Sequence, residues 1–308
     1  MRFTLKPSIG ILILFLFPAL VLLSQPADPG QGERIMRTLS AAYPDRIGPV
    51  EFRNQDWAFR IGDKWFYYAE GRILPEELRS RAAEYRALRI NSNYPVELPS
   101  CESTAEQRAE QTRNFEERRS RQPQAARQPA RQPAPRRSNY FFESLWNSSN
   151  RDQARAQQVQ LSFLGHTLTI HSGIAPIIRR IEEIIVNESA TDPAVRQWIH
   201  SLGTVTGWNW RTVASSGNRS FHSYGIAIDL LPRNLGGLAT YWLWTSQYNP
   251  QWWNIPFSER YHPPDAVIRA FESFGFIWGG KWINSFDTMH FEYRPEVFIF
   301  SNIPLSGL

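Results

Sequence analysis

Two short segments in the last third of the chain carry residues of the types that bind metal ions. The first contains His222 and Asp229, and the second contains Asp287 and His290. Asp229 interrupts an apolar run, where a carboxylate is costly unless it is paired or bound to a metal. Two histidines and one aspartate are suitable zinc ligands, and three protein ligands leave a fourth position for water, as in catalytic zinc sites. Taken alone, each pair is a weak signal, because Asp229 is equally well explained as a buried hydrogen-bond acceptor.

An activated water also needs a base and a group that stabilises negative charge. Asp287 lies three residues before His290 and is the candidate base, which would take the water proton and return it to a leaving amine. Arg211 is the candidate oxyanion-stabilising group, because a guanidinium is always charged; a structural ion pair is the alternative. The candidate substrate-binding residues are Ser220, Tyr224 and Trp282.

The joint pattern of the two segments resembles a known family of zinc peptidases. Ser-x-His-x-x-Gly-x-Ala-x-Asp at 220–229, followed by Asp-x-x-His-Phe-Glu at 287–292, is similar to VanY-type D-alanyl-D-alanine carboxypeptidases and phage L-alanyl-D-glutamate endolysins. Lysostaphin-type peptidases and the hedgehog signalling domain belong to the same superfamily. The resemblance covers roughly residues 160–296. It implies zinc bound by His222, Asp229 and His290, with Asp287 as general base and Arg211 at the tetrahedral intermediate.

The resemblance implies hydrolysis of amide bonds in peptidoglycan stem peptides by attack of a metal-bound water. A D,D-carboxypeptidase and an L-Ala-D-Glu-type endopeptidase both remain open. The aspartate at 287 and the Trp-Gly-Gly-Lys-Trp sequence at 278–282 favour the endopeptidase slightly. A catalytically silent, zinc-containing cell-wall binding module is the alternative, since hedgehog-type relatives keep the zinc cleft without peptidase function. The presence of Asp287 beside a full ligand set argues against that alternative.

The elements that must position these residues indicate an α+β fold. We expect a small central antiparallel sheet flanked by helices, with the zinc cleft on one sheet face. Periodicity and turn signals predict strands at 226–231, 276–278 and 289–293, a hairpin at 159–171, and helices at 174–187, 193–200 and 264–274. Strand alternation then places His290 and Glu292 on the same face. The tryptophans at 242, 244, 252 and 253 are expected to belong to the core rather than to a substrate platform.

Composition divides the chain into four segments. Residues 1–27 read as a signal peptide or an uncleaved N-terminal anchor, because a basic start precedes an apolar run over 9–23. Residues 28–101 are predicted to form a small module, with a hairpin at 56–68 and a helix at 74–88. Residues 102–138, rich in Arg, Gln and Pro, are expected to be a disordered linker, and 139–308 the metallopeptidase domain.

Charge and cysteine content bear on compartment and partners. The formal net charge is +5, but residues 102–137 alone hold nine Arg and five Glu, so the basicity lies mostly in the linker. We therefore expect no nucleic-acid partner. The single cysteine, Cys101, excludes a disulfide framework within the chain. The sequence predicts an exported protein, periplasmic or associated with the cell envelope, that acts on peptidoglycan peptides and has no obligate protein partner evident. Membrane anchoring through the apolar N-terminal segment is the alternative to its cleavage as a signal peptide.

Overall fold

The computed structural model describes residues 29–88, 90, 94–97, 137–213, 218–282 and 285–306, together with eight positions between 106 and 117. The predicted signal or anchor over 1–27 and most of the predicted linker over 102–138 lie outside the described residues. Within the part of the chain that is described, no helix combines the length and apolar character needed to span a membrane.

The N-terminal part contains one helix and a four-stranded antiparallel sheet in the order β1-β2-β3-β4. Its elements are α1 (Pro29–Ala42), β1 (Glu51–Arg53), β2 (Asp56–Ile61), β3 (Lys64–Tyr67) and β4 (Leu74–Pro75). The predicted hairpin is confirmed as β2 and β3, which turn at Gly62 with a positive φ of 61°. The sheet is thus larger than the predicted hairpin by one strand on each side.

The predicted helix over 74–88 is wrong. Leu74 and Pro75 join the sheet as β4, and Glu76–Glu84 form 3₁₀ turns with a non-helical break at Arg81. Ala82 is the one residue of that segment that is buried. An α-helix gains most of its stability from packing an apolar face, and this short, charged segment has little apolar surface to pack.

The C-terminal part contains a second four-stranded antiparallel sheet, in the order β7-β8-β10-β9, and a separate hairpin of β5 and β6. Its elements are α2 (Tyr140–Leu145), α3 (Arg151–Ala156), β5 (Gln158–Phe163), β6 (His166–His171), α4 (Ala175–Thr191), α5 (Pro193–Ser201), β7 (Leu202–Thr206), β8 (Ala227–Pro232), α6 (Trp242–Thr245), α7 (Asp265–Ser273), β9 (Phe276–Trp278), β10 (His290–Tyr293) and α8 (Pro295–Phe300). Small antiparallel sheets mixed with helices confirm the predicted α+β class.

Local signals fix the helix ends near the second sheet. The Asp192 side chain caps α5 by accepting hydrogen bonds from the backbone N–H groups of residues 194 and 195, and Pro193 is the first helical residue. Helix α4 turns the apolar side chains of Ile178, Ile181 and Ile185 inward and packs against α5 and α7. Helix α7 also contacts β9, so these three helices pack beside the second sheet.

One apolar core runs through both parts of the chain. The buried rings of Phe59 and Phe66, from the first sheet, lie 6.1 and 6.3 Å from the ring of Phe141 in α2. Helix α1 packs against α8, the last helix. The N-terminal part is therefore packed directly on the elements that carry the second sheet.

A few positions of the predicted linker are ordered. The described residues between 106 and 117 are helical, which differs from the structureless linker that the composition predicted. Phe115 stacks on Trp253 with ring centroids 3.7 Å apart, so burial of its aromatic surface compensates part of the entropy of ordering the backbone.

Candidate metal centre and cleft

Two neighbouring strands bring two of the candidate ligands, Asp229 and His290, together. Strand β10 pairs with β8 so that His290 lies directly opposite Asp229. Directly opposed residues of antiparallel strands have their side chains within contact distance on one face of the sheet. The alternation of β10 places Glu292 beside His290 on that face, as predicted.

The third candidate ligand, His222, lies on a 3₁₀ turn over Phe221–Tyr224 that leads into β8. The Ser220 hydroxyl caps this turn by accepting the His222 backbone N–H at 3.3 Å. The turn ends at Gly225, which has a φ of +77°, and a Cβ atom there would lie 2.0 Å from Oε1 of Gln158. The positive φ and the close approach together strongly favour glycine at this position.

The three donor atoms form a compact triangle. Nε2 of His222 lies 3.1 Å from Oδ1 of Asp229 and 3.2 Å from Nδ1 of His290, and the distance from that Nδ1 to the same Oδ1 is 2.9 Å. A tetrahedral zinc ion with ligands at about 2.0–2.1 Å holds its ligand atoms roughly 3.3 Å apart. Within the described part of the chain, these residues are the one group of three that could hold a metal ion.

The ring nitrogens that point away from the triangle are both anchored. Nδ1 of His222 lies 2.6 Å from the carbonyl oxygen of Gly207, and Nε2 of His290 lies 3.2 Å from Oε2 of Glu292. Both partners are acceptors, so these nitrogens carry protons, and the inward nitrogens are the ones that can bind a metal ion in place of a second proton. Metal-binding histidines in proteins have this arrangement, in which an outer acceptor fixes tautomer and ring orientation.

The electrostatics of the centre favour positive charge. Burial opposes the ionisation of Asp229, but its electrostatic interactions and hydrogen bonds with His222 and His290 outweigh the effect of burial. The pKa of Asp229 therefore lies well below its ordinary value. Burial also opposes the charged form of His290, yet hydrogen bonds to Asp229 and Glu292 raise the pKa of His290 well above its usual range. The donor set, its spacing and this preference for a cation all fit a divalent metal ion.

Asp287 is held beside the triangle by backbone contacts. Its N–H donates to the carbonyl oxygen of Gly279 at 3.1 Å, and it forms an isolated antiparallel bridge with Tyr241. A Cβ atom at Gly279 would lie 2.4 Å from the Asp287 carbonyl oxygen, so this approach requires glycine. Oδ1 of Asp287 is buried without a hydrogen-bond partner among the described residues, and burial raises the pKa of this carboxyl to about 7.

A cleft of about 460 Å³ opens at this centre and is lined by Asp229, Asp287 and His290. The structure places Arg211, Ser220 and Trp282 in its walls as well. The Arg211 backbone is tied to the turn of His222, because its N–H donates to the Ser223 hydroxyl at 2.9 Å. The Trp282 and His290 rings lie 5.5 Å apart.

The prediction that Tyr224 binds substrate disagrees with the structure. Its side chain is buried, packs against the rings of Phe142 and Phe221, and lies under the guanidinium of Arg219, 4.3 Å from the ring centroid. The 3₁₀ turn that presents His222 to the triangle thus directs Tyr224 into the core.

Three residues at the site were missed by the sequence interpretation. Glu292 anchors His290, Tyr241 bridges to Asp287 and lines the cleft, and Trp244 lines the cleft with 46% of its surface exposed. The Glu292 role could have been inferred, because alternation already placed it beside His290. Tyr241 directly precedes the short helix α6 and Trp244 lies within it, and no local pattern indicates this helix. The expectation that Trp244 belongs to the core is wrong, because its side chain is exposed at the cleft.

A larger cavity of about 710 Å³ lies elsewhere. Among the described residues, its lining includes four arginines, Arg72, Arg86, Arg137 and Arg294, and no acidic side chain. None of the three candidate ligands lines it, so the smaller cleft is the candidate site.

Comparisons with known proteins agree with this geometry. Residues 214–293 match a family model described as D-alanyl-D-alanine carboxypeptidase, a span that contains the three candidate ligands and Asp287 but not Arg211. Residues 35–90 match a model of a domain of unknown function. No curated protein and no solved structure matches the chain significantly. Residues 214–293 are thus similar to a family of peptidases that are typically metal-dependent, and the His-Asp-His group lies within that span.

Proposed function

We propose that the protein is an exported zinc metallopeptidase that hydrolyses amide bonds in peptidoglycan stem peptides. The observation that carries this proposal is the triangle of donor atoms, 2.9–3.2 Å apart, in a cleft that also contains the Asp287 carboxyl group, one oxygen of which is buried without a hydrogen-bond partner among the described residues. A structural metal site does not need such a carboxylate, whereas hydrolysis needs a base.

The residues of the cleft divide the chemistry among them. A zinc ion held by His222, Asp229 and His290 would supply Lewis acidity and lower the pKa of water. Asp287 takes a proton from the attacking water and passes it to the leaving amine, for which a carboxyl pKa near neutrality is well suited. Arg211, in the cleft wall, provides a fixed positive charge for the oxyanion.

Two features support a cell-wall substrate. The matching family model is described as D-alanyl-D-alanine carboxypeptidase, and D-alanyl ends occur in peptidoglycan stem peptides. The basic and apolar N-terminal sequence over 1–27 would direct the body of the protein to the periplasm or cell envelope, where that substrate lies. The reaction is either removal of a terminal D-alanine or cleavage of an L-Ala-D-Glu bond.

Digestion of purified muropeptides tests this proposal. Full-length protein loaded with zinc is incubated with them beside a chelated sample and the Asp287→Asn variant, and the products are identified by mass spectrometry. We expect cleavage by the zinc-loaded protein alone, with the loss of one alanine marking a carboxypeptidase and a split between L-Ala and D-Glu marking an endopeptidase. Zinc-loaded protein that cleaves no wall fragment would instead favour the catalytically silent binding module.

A further inference from the structure

A chain of buried hydrogen bonds leads from the metal centre to the N-terminal part of the protein. It runs from His290 through Glu292, Arg294 and Glu296 to Tyr43, all of which are buried. We propose that the N-terminal part positions the metal-binding ring of His290 through this chain, with Tyr43 as its outer end. The inference rests on the metal centre of the proposed function and assigns a role to residues for which the matching model, over 35–90, states none.

The inner half of the chain uses both oxygens of one carboxylate. Oε2 of Glu292 accepts the outward N–H of His290 at 3.2 Å, and Oε1 of Glu292 accepts from Nη1 of Arg294 at 3.2 Å. Because each oxygen has its own donor, the position of the Arg294 guanidinium determines how the carboxylate is turned toward His290. Charge-assisted bonds of this kind are stronger than neutral ones and are specific in geometry.

The outer half repeats the arrangement with a second carboxylate. Nε of Arg294 donates to Oε1 of Glu296 in a short contact, and the hydroxyl of Tyr43 donates to Oε2 of Glu296 at 2.6 Å. Burial raises the pKa of Tyr43 well above its usual range, so the hydroxyl keeps its proton and remains a donor. Tyr43 follows α1 and is 253 residues from Glu296 in sequence, which makes this a contact between the two ends of the fold.

Ring packing holds Tyr43, the outer end of the hydrogen-bond chain, in place. The Tyr43 ring makes edge contacts with Trp146 at 5.9 Å and Tyr293 at 6.2 Å. Removal of the hydroxyl alone leaves these ring contacts but deprives a buried carboxylate oxygen of its donor. Buried polar groups without partners are costly, so Glu296 and then Arg294 would move to recover a hydrogen bond.

The expected effect is on metal affinity. Loss of an outer partner of a metal ligand typically weakens metal binding about 10–100-fold, which is the change we expect for Glu292→Gln. Two side chains, Arg294 and Glu296, separate Tyr43 from Glu292, so we expect Tyr43→Phe to weaken zinc binding about 3–10-fold on the same scale. Glu296→Gln keeps the shape of the chain while removing its charge, and should fall in that range as well.

Tyr67 offers a matched control for Tyr43. It is also a buried tyrosine of the N-terminal part, and its hydroxyl contacts a glutamate, Glu76, at 3.3 Å. Those contacts do not connect to the chain that leads to His290. Tyr67→Phe therefore reproduces the loss of a buried hydroxyl while leaving the proposed connection intact.

The experiment measures zinc dissociation constants of full-length variants by competition with a chelator, and the visible absorption of the cobalt-substituted proteins. The inference predicts weaker zinc binding and altered cobalt bands in Tyr43→Phe and Glu296→Gln, with Tyr67→Phe unchanged in both. If Tyr43→Phe and Glu296→Gln bind zinc as tightly as Tyr67→Phe, whatever their thermal stability, the inference is overturned. This experiment measures zinc binding and no turnover. If the protein binds zinc but cleaves no peptide, the proposed function is refuted, whereas the inference about Tyr43 is still decided by the zinc dissociation constants.

Discussion

Asp229 has the position that an isolated carboxylate would avoid, since the neighbouring residues Ile228 and Leu230 are fully buried. Contacts with His222 and His290 compensate the desolvation of Asp229. The outward ring nitrogen of each histidine contacts an acceptor of its own. Residue types and spacing predicted the three residues that the structure brings together as a group able to hold a metal ion, because metal-binding chemistry restricts the choice of side chain. The acceptor for His222 is the carbonyl oxygen of Gly207, which no sequence pattern could identify because every residue has such an oxygen.

Asp287→Asn tests the assignment of the base. The amide is nearly the same size and cannot accept the proton of the water, so we expect turnover to fall about 10²–10⁴-fold. Zinc binding should be close to that of the wild type, because Asp287 is outside the donor triangle. Turnover and zinc content are measured on the same preparation, with Asp265→Asn in the exposed first turn of α7 as the control. Near-normal turnover in Asp287→Asn would exclude it as the base.

At the scale of elements, the site depends on a strand pairing and a turn. The ligand-bearing strands were predicted separately from short apolar runs, but their pairing joins residues 61 positions apart and is set by the tertiary fold. The helix predicted over 74–88 failed for a related reason, because helix-forming composition does not report whether a segment has an apolar face to bury. Helix α5 was predicted well, since its capping signals are local.

Gly225→Ala tests the turn that presents His222. A left-handed backbone costs an alanine about 1–2 kcal/mol, and overpacking against Gln158 adds about 1–3 kcal/mol. Gly165→Ala is the matched control, because Gly165 also has a positive φ, of 81°, but has nothing within 4 Å of the added Cβ. Urea unfolding should therefore show a larger loss of unfolding free energy for Gly225→Ala, together with weaker zinc binding. Equal losses in the two variants would contradict this account of the turn.

At the scale of the whole molecule, the sequence indicated segments but not how they pack. Residues 28–101 were interpreted as a separate module because their composition differs from that of the linker, and composition carries no record of contacts across 253 residues. In the structure, their apolar side chains contribute to the same core as those of the C-terminal part. The predicted export segment over 1–27 remains a prediction, as it lies outside the described residues.

His171 makes the stability of this shared core depend on pH. Burial and the charge of Arg46 lower the pKa of His171 to about 4, from an ordinary value of 6.5. The unfolded chain therefore binds a proton that the folded protein excludes between these values, and stability is lost as the pH falls from 6.5 toward 4. The loss amounts to about 3 kcal/mol in total, at about 1.4 kcal/mol per pKa unit.

Comparison with His171→Gln isolates this contribution. Glutamine does not titrate and is able to donate to the carbonyl oxygen of Trp146, as Nε2 of the neutral histidine does at 3.1 Å. Unfolding free energies of both proteins are measured between pH 7 and pH 4.5. We expect the advantage of the wild type over the variant to shrink steadily as the pH is lowered. A difference that does not change with pH would show that His171 is not held neutral in the folded protein.

The most direct test of the account is to locate the metal itself. Crystals of the full-length protein grown with zinc are measured at the zinc absorption edge, where anomalous scattering marks the ion. We predict one peak about 2.0–2.1 Å from Nε2 of His222, Nδ1 of His290 and Oδ1 of Asp229. An anomalous map without a peak between these three atoms would contradict the central claim.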